Sequence, residues 1–323
     1  MTRTHEYDVA IVGGGPAGLA AAFWLARYRR RVCVLDAGEA RNEAAWAVHG
    51  YPGLPDLPPA ELRRRLREQA EAAGAEVVTA RVTRIEGRKG AFDVHASTAP
   101  ALRARRVLLA YGVRDLVPDV PGLEEALGTS IYHCPDCDGP SMMGCRVAVI
   151  GWTRRAATLA LFLRTWAGRL ELFTHGHPPE LDRTLLDMLA RYHVAVRTER
   201  ILRLVPAGGR TVSLHLENGE VLGVEGVFFH VGTVPGSDLG ERLGCEQTEH
   251  GALRTDDRLA TTVPGVYAAG DITGHPHLAI SAAAQGVHAA LAIHRSLLPA
   301  EWAEREDPHH GPHAAGASRG SRG

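Results

Sequence analysis

Residues 7–40 read YDVAIVGGGPAGLAAAFWLARYRRRVCVLDAGEA, and they leave few folds open. Tyr7–Val12 predicts a buried strand, a helix runs through Trp24 to about Tyr28, and Arg31–Leu35 predicts a second strand. The turn between the first strand and the helix makes three demands on its backbone. Gly13 permits the sharp bend, Gly15 lets a pyrophosphate approach the chain, and Gly18 lets helix and strand pack closely. The helix N-terminus then faces the phosphates. Asp36 follows the second strand, 23 residues beyond Gly13, where an acid can bind ribose hydroxyls. A lone glycine motif would be weak evidence, but here strand, turn, helix, second strand and acid agree on dinucleotide binding. The candidate cofactor-binding residues of this unit are Gly13, Gly15, Pro16, Ala17 and Gly18, with Asp36 and Ala37 at the strand end.

The same architecture recurs in CRVAVIGWTRRAATLALFLRTWAGRLELFTHGHPPEL. Arg146–Ile150 predicts a strand, Thr153–Trp166 a helix and Arg169–Phe173 a strand. The repeat predicts an α/β fold with two Rossmann-like, three-layer ββα nucleotide-binding domains. A chain of 323 residues is long enough for both. The second turn is altered. Gly151 keeps the first glycine position and Ala156 serves as the third, but Thr153 puts a side chain where a pyrophosphate would approach. No acid ends the second strand, and the sequence there, FTHGH, offers His175 and His177 instead of the arginines a 2′-phosphate would want. Arg154 and Arg155 open the helix and could meet a phosphate, but such residues are more often solvated. This turn argues against tight NADPH binding.

A short strand at Gly265–Ala269 is followed by Gly270 and Asp271, a turn where an aspartate could hydrogen-bond a flavin ribityl hydroxyl or simply cap a helix. Net charge is −1, so no general attraction to nucleic acid or to anionic lipid is expected. The arginines of ELRRRLREQAE fall opposite Leu62, Leu66 and Ala70 and read as the solvated face of an amphipathic helix. No apolar run is long enough to span a membrane, and the start leaves no room for a signal peptide, so a cytoplasmic protein is expected.

Between the two units lies YHCPDCDGP, residues 132–140. Cys134 and Cys137 could ligate a metal, form a structural disulfide or act as a redox dithiol. Zinc needs about four ligands, and the adjacent side chains of His133 and Cys134 diverge, so a set with Cys137 and Cys145 is hard to assemble. A disulfide closing so short a loop stabilises little and is disfavoured in a reducing compartment. No metal site is therefore expected, and a redox dithiol is favoured. Backbone N–H groups at a helix start would lower the thiol pKa, and Asp138 can serve as the local acid or base.

An intact dinucleotide unit, CxxC-Asp-Gly just before a second Rossmann unit, and a late YAAGD together resemble the low-molecular-weight thioredoxin reductase family of flavoprotein disulfide oxidoreductases. The resemblance covers roughly residues 5–297. It implies FAD as cofactor and a homodimer. It also implies a discontinuous FAD domain, residues 1–117 and 247–297, with a central NAD(P)-binding-like domain, 118–246, inserted between crossings near VRDLVPDVPG and LGCEQTEHGAL. By this resemblance Gly13, Gly15 and Gly18 would bind the pyrophosphate, Asp36 the adenosine ribose and Asp271 the ribityl chain. Asn42 and His49 of the HGYPG turn would lie near the flavin. RVLLAYG resembles the family's Ala-Thr-Gly strand end, giving Ala110 and Gly112, with Tyr111 replacing threonine. Gly270 and Gln285 would complete the flavin site. Cys137 would attack the flavin, Cys134 would exchange with the substrate, and Asp138 would relay the proton. The family's NADPH residues are not matched, and the central unit instead resembles the NADPH-independent, dithiol-oxidase-like branch.

The expected activity is FAD-dependent thiol–disulfide exchange with a dithiol or disulfide partner, a thioredoxin-like protein or a small molecule. An alternative electron donor or oxygen would complete the cycle. An ordinary NADPH-dependent thioredoxin-disulfide reductase is the nearest alternative, and a non-catalytic flavin-binding redox sensor is the alternative of another class. No nucleic-acid or membrane partner is expected. Residues 298–323, rich in Gly, His and Ser, read as a disordered tail.

Overall fold

The computed structural model describes residues 5–303. The chain opens with β1 (His5–Val12), α1 (Pro16–Arg27), β2 (Val32–Asp36), α2 (Pro59–Ala72) and β3 (Glu76–Thr79). An antiparallel excursion, β4 (Val82–Arg88) and β5 (Ala91–Ala96), leads to β6 (Leu102–Leu109) and the short β7 (Val113–Asp115). The central part holds β8 (Ile131–Tyr132), the one-turn α3 (Pro135–Asp138), β9 (Arg146–Ile150), α4 (Arg154–Leu163), β10 (Arg169–Phe173), α5 (Arg183–Arg191) and β11 (Val194–Arg197). A meander, β12 (Ile201–Pro206), β13 (Val212–Leu216) and β14 (Val221–Val224), precedes β15 (Gly226–Phe229) and β16 (Thr233–Pro235). Then come α6 (Leu239–Arg242), β17 (Val266–Ala268), α7 (Ala279–Ser296) and α8 (Ala300–Ala303).

Two sheets carry the fold. The first runs β3-β2-β1-β6-β5-β4, and β17 returns from late in the chain to pair with β6. Strands β1, β2, β3, β6 and β17 are mutually parallel. The second sheet, β11-β10-β9-β15-β8, is parallel throughout. Parallel strands are buried on both faces, which is why Val9–Val12 and Val147–Ile150 are unbroken apolar runs.

On one face of the first sheet, α1 and α7 pack with Leu19, Leu25, Val34, Leu108, Ala289 and Ile293. The small residues of SAAAQG let these helices approach closely. A Cβ on Gly286 would sit 2.1 Å from the Ala17 carbonyl oxygen. Arg106 is buried where α7 ends, and its guanidinium donates to the Ser296 carbonyl at 2.6 Å and hydroxyl at 3.0 Å. A cation there also complements the helix dipole. α2 is amphipathic as expected. Leu62 and Ala70 are buried, while Arg64, Arg65 and Arg67 pair with Glu61, Glu68 and Glu71 on the solvent side.

Several boundaries move by one to three residues. α1 ends at Arg27, with Tyr28 as its C-cap. α4 begins after Thr153, whose hydroxyl caps it, and stops at Leu163. The two crossings pair as an antiparallel ribbon, β7 with β16. The second crossing therefore precedes residues 243–253, because Leu239, Cys245 and Leu253 pack with Leu109 and Ile272 in the first sheet's core. Of the expected tail, residues 300–303 form α8, and residues 304–323 lie outside the described residues.

Candidate functional site

Because β1, β2, β6 and β17 are parallel, their carboxyl ends share one edge, the place where open α/β sheets bind ligands. Gly13, Ala110 and Gly270 follow those strand ends, and Asp36 closes β2. Gly13 has φ of 110°, and a Cβ there would meet the Ala110 carbonyl oxygen at 2.4 Å. A Cβ on Gly18 would sit 2.0 Å from the Gly13 carbonyl oxygen. Gly15 differs, since a Cβ would meet nothing within 4 Å. The turn is thus closed on its protein side and open beside Gly15, a shape that fits the pyrophosphate of FAD. Pro16 and Ala17 open α1, and the Asp36 carboxylate accepts from Gly38 N–H at 3.1 Å beside exposed Ala37. Gly112, φ 63°, accepts through its carbonyl from Gly236 N–H at 2.9 Å and ties the crossing to this edge. Gln285 Oε1 accepts from Gly270 N–H at 2.7 Å and from the Thr273 hydroxyl at 2.9 Å, fixing the turn that carries Asp271.

Arg41 grips two carboxylates here. Its Nε and Nη2 donate to Asp115 at 2.7 Å each, and Nη1 donates to Asp271 at 3.0 Å. All three side chains are less than one-fifth exposed. Burial pushes the Asp115 carboxyl up, but Arg41 outweighs it and holds Asp115 below the ordinary value. The sequence reading did not single out Arg41 or Asp115, which are separated by 74 residues. Asn42, next to Arg41, accepts through its carbonyl from Ala45 N–H at 3.0 Å.

The cysteine pair follows His133, which senses the charges of this same edge. Cys134 and Cys137 form a disulfide. His133 lies within electrostatic range of Asp115, Arg41, Asp271 and His277, and burial lowers its pKa. Before β8, a Cβ on Gly128 would collide with the Ala44 carbonyl oxygen at 1.7 Å, so the central part seats tightly on the 41–49 segment. α3 is one turn long. Its contribution to Cys134 is a single hydrogen bond, Cys137 N–H to Cys134 Sγ at 3.1 Å. Asp138 is mostly buried, and burial pushes its pKa up to about 6, opposed by His49. A carboxyl with that pKa exchanges protons readily near neutrality. No group of three or more His, Cys, Asp or Glu among the described residues is arranged to hold a metal ion.

The second turn has a different character. The Thr153 hydroxyl accepts from Ala156 N–H at 3.3 Å and so occupies a helix-start donor. Arg154 is paired with Asp182. His177 stacks on Trp152 at 3.8 Å between ring centroids. His175 is buried, accepts from Ile201 N–H at 3.1 Å through Nδ1, and has its pKa lowered by burial. An imidazole held neutral and facing inward offers no charge to a phosphate. Thr153, Arg154, Arg155, Glu180 and His230 line an open groove of about 390 Å³.

Comparison with known proteins agrees with this architecture. The family model described as pyridine nucleotide-disulphide oxidoreductase matches residues 7–286. A thioredoxin reductase of Aquifex aeolicus is 32% identical over 305 residues, 90% of this chain and 93% of the relative. Among solved structures, HlmI superposes with a TM-score of 0.85 at 34% identity, covering 91% of this chain and 94% of the other. An oxidoreductase from Agrobacterium tumefaciens superposes with a TM-score of 0.81 at 33% identity, covering 90% and 98%.

Proposed function

We propose that this chain, which belongs to the pyridine nucleotide-disulphide oxidoreductase family and is a thioredoxin reductase-like, FAD-dependent disulfide oxidoreductase, passes electron pairs between Cys134/Cys137 and a dithiol or disulfide partner without ordinary use of NADPH. The carrying observation is the seat of the disulfide. It follows directly on His133, which lies within electrostatic range of Arg41, Asp115 and Asp271 at the edge that carries Gly13 and Ala110. FAD, when bound, supplies the two-electron store.

The protein's own groups do the remainder. A substrate thiolate attacks Cys134 Sγ, the Cys134–Cys137 bond breaks, and Cys137 leaves as a thiolate carrying the electron pair. The second substrate thiol then displaces Cys134, so the substrate is oxidised to a disulfide and the protein pair is reduced. Asp138 takes and returns the protons. The steps reverse for a disulfide substrate. When FAD is bound, Gly13, Gly15, Pro16, Ala17, Gly18, Asp36 and Ala37 would hold its dinucleotide end, and Asn42, His49, Ala110, Gly112, Gly270, Asp271 and Gln285 would hold its flavin end.

Departure from NADPH rests on the second turn. Thr153 caps its own helix, Arg154 is held by Asp182, and His175 is buried and turned inward. These residues fit a dinucleotide phosphate poorly, so the physiological second partner is oxygen or another donor or acceptor. The similarity to proteins named thioredoxin reductase favours the NADPH-fed alternative, with a thioredoxin-like protein as partner. Anaerobic rapid mixing separates the two. We expect stoichiometric NADPH or NADH to leave the flavin oxidised over many seconds, whereas bleaching within milliseconds would overturn this part of the proposal.

A further inference from the structure

We propose that Trp152 and His177 form a built-in plug over the ribose position of the second nucleotide unit, and that this aromatic pair, beyond the altered turn beside it, excludes a nicotinamide dinucleotide. The inference rests on the reading that the chain departs from NADPH and deepens it by naming the residues that set the exclusion. The two nucleotide units supply the frame. β1 ends at Val12 opposite Leu35, and β9 ends at Ile150 opposite Phe173. Gly13 N–H donates to the Leu35 carbonyl and Gly151 N–H to the Phe173 carbonyl, both at 2.9 Å. α1 begins at Pro16, three residues after Gly13, and α4 begins at Arg154, three residues after Gly151. The two turns are therefore in register. Trp152 stands where the first unit has Gly14, and Thr174 stands where it has Asp36.

That correspondence gives the direction of the indole. A Cβ on Gly14 would lie 2.4 Å from Asp36 Oδ2, so a side chain at this turn position heads for the end of the second strand. The ribose of a bound dinucleotide lies there, between the turn and the strand-end acid. In the second unit the place is filled. The Trp152 and His177 rings stack at 3.8 Å between centroids with 22° between their planes, bridging the segments that leave β9 and β10. Three backbone hydrogen bonds pin residues 174–180 across this edge. Glu180 N–H donates to the Trp152 carbonyl at 2.8 Å, Gly176 N–H to the Thr198 carbonyl at 3.0 Å, and His177 N–H to the Thr174 carbonyl at 3.0 Å. Asp36 is half-buried, whereas Thr174 is 0% exposed and its hydroxyl has no hydrogen-bond partner among the described residues. An adenosine entering here would have to part the stacked rings and lift the segment, and it would find no acid to bind its ribose. Thr153 acts separately, on the pyrophosphate side.

The experiment uses the FAD-loaded full-length protein and ADP-ribose, which carries the adenosine and pyrophosphate of the dinucleotide but cannot reduce a flavin. Calorimetry gives its Kd. Thr153→Gly relieves the turn and leaves the stack, whereas Trp152→Gly/Thr153→Gly/His177→Ala removes both. The triple variant is expected to bind at least about tenfold more tightly than Thr153→Gly, the gain from a hydrogen bond or two and a buried ring. A triple variant that binds no better than Thr153→Gly overturns the plug, whether neither binds or relief of the turn already suffices. If the triple variant loses FAD, Thr153→Gly/His177→Ala decides, because Trp152 then lacks the ring that holds it. Tighter binding there supports the plug, and an unchanged Kd overturns it. Failure of the underlying reading would look different, because the wild-type holoprotein would then itself bind ADP-ribose tightly and be bleached by NADPH.

Discussion

Cys137→Ser protein binds FAD and stays yellow when dithiols are added under anaerobic conditions, with flavin reduction slowed by about 10³-fold or more, the scale seen when one member of a catalytic unit is lost. Serine cannot form the disulfide, so the electron pair has no route from substrate to flavin even though Cys134 can still meet an incoming thiol. Cys134→Ser is expected to block turnover equally while leaving a thiol at position 137, and its thiolate should perturb the flavin spectrum. Absorbance spectra of both variants, together with FAD content after gel filtration, check this. The disulfide spans only three residues and therefore stabilises the chain little. Loss of FAD or of folding in the Cys137 variant would instead assign the pair a structural role.

The second large effect is expected at Arg41. Removing it in Arg41→Ala leaves Asp115 and Asp271 as adjacent, mostly buried carboxylates without their cation. Breaking a buried ion pair from one side costs about 3 kcal/mol, and Tm should fall by roughly 5–10 °C. Arg41→Lys keeps the charge but loses the two-pronged contact with Asp115, so an intermediate loss is expected.

The pH dependence gives a further check. In the native protein Asp115 has a lowered pKa, so its pairing stabilises at neutral pH and is lost as pH falls through that lowered value. In Arg41→Ala burial is opposed only by His133 and His277 and raises the carboxyl's pKa, so folding then favours the protonated form and stability declines as pH rises. The Tm difference between the two proteins should be widest near neutrality and narrow toward pH ~4. Thermal unfolding with and without FAD measures it, and a difference that does not change with pH would contradict the assignment.

Legibility in the sequence followed the range of the forces involved. The strand–glycine–helix–strand units were readable because burial on both faces of a parallel strand and close packing at Gly13 and Gly18 leave local marks. Helix ends were less readable. Thr153 reads as the first residue of the helix in sequence, but in the structure it stands just outside and turns its hydroxyl back to cap α4. Arg41 escaped notice because its partners are 74 and 230 residues away. Nothing local distinguishes it from the solvated arginines of α2. His49 and Asp56 meet only because the Val48–Leu57 bridge folds the intervening loop back on itself. The open space beside Gly15 and the inward turn of His175 are likewise properties of the assembled edge.

Anaerobic titration of the FAD-loaded protein with dithiothreitol, read by flavin absorbance beside a parallel count of free thiols, tests the central claim most directly. The account predicts that Cys134–Cys137 opens and the flavin bleaches in the same titration, with both responses absent from Cys137→Ser. A disulfide that opens fully while the flavin stays oxidised would contradict it.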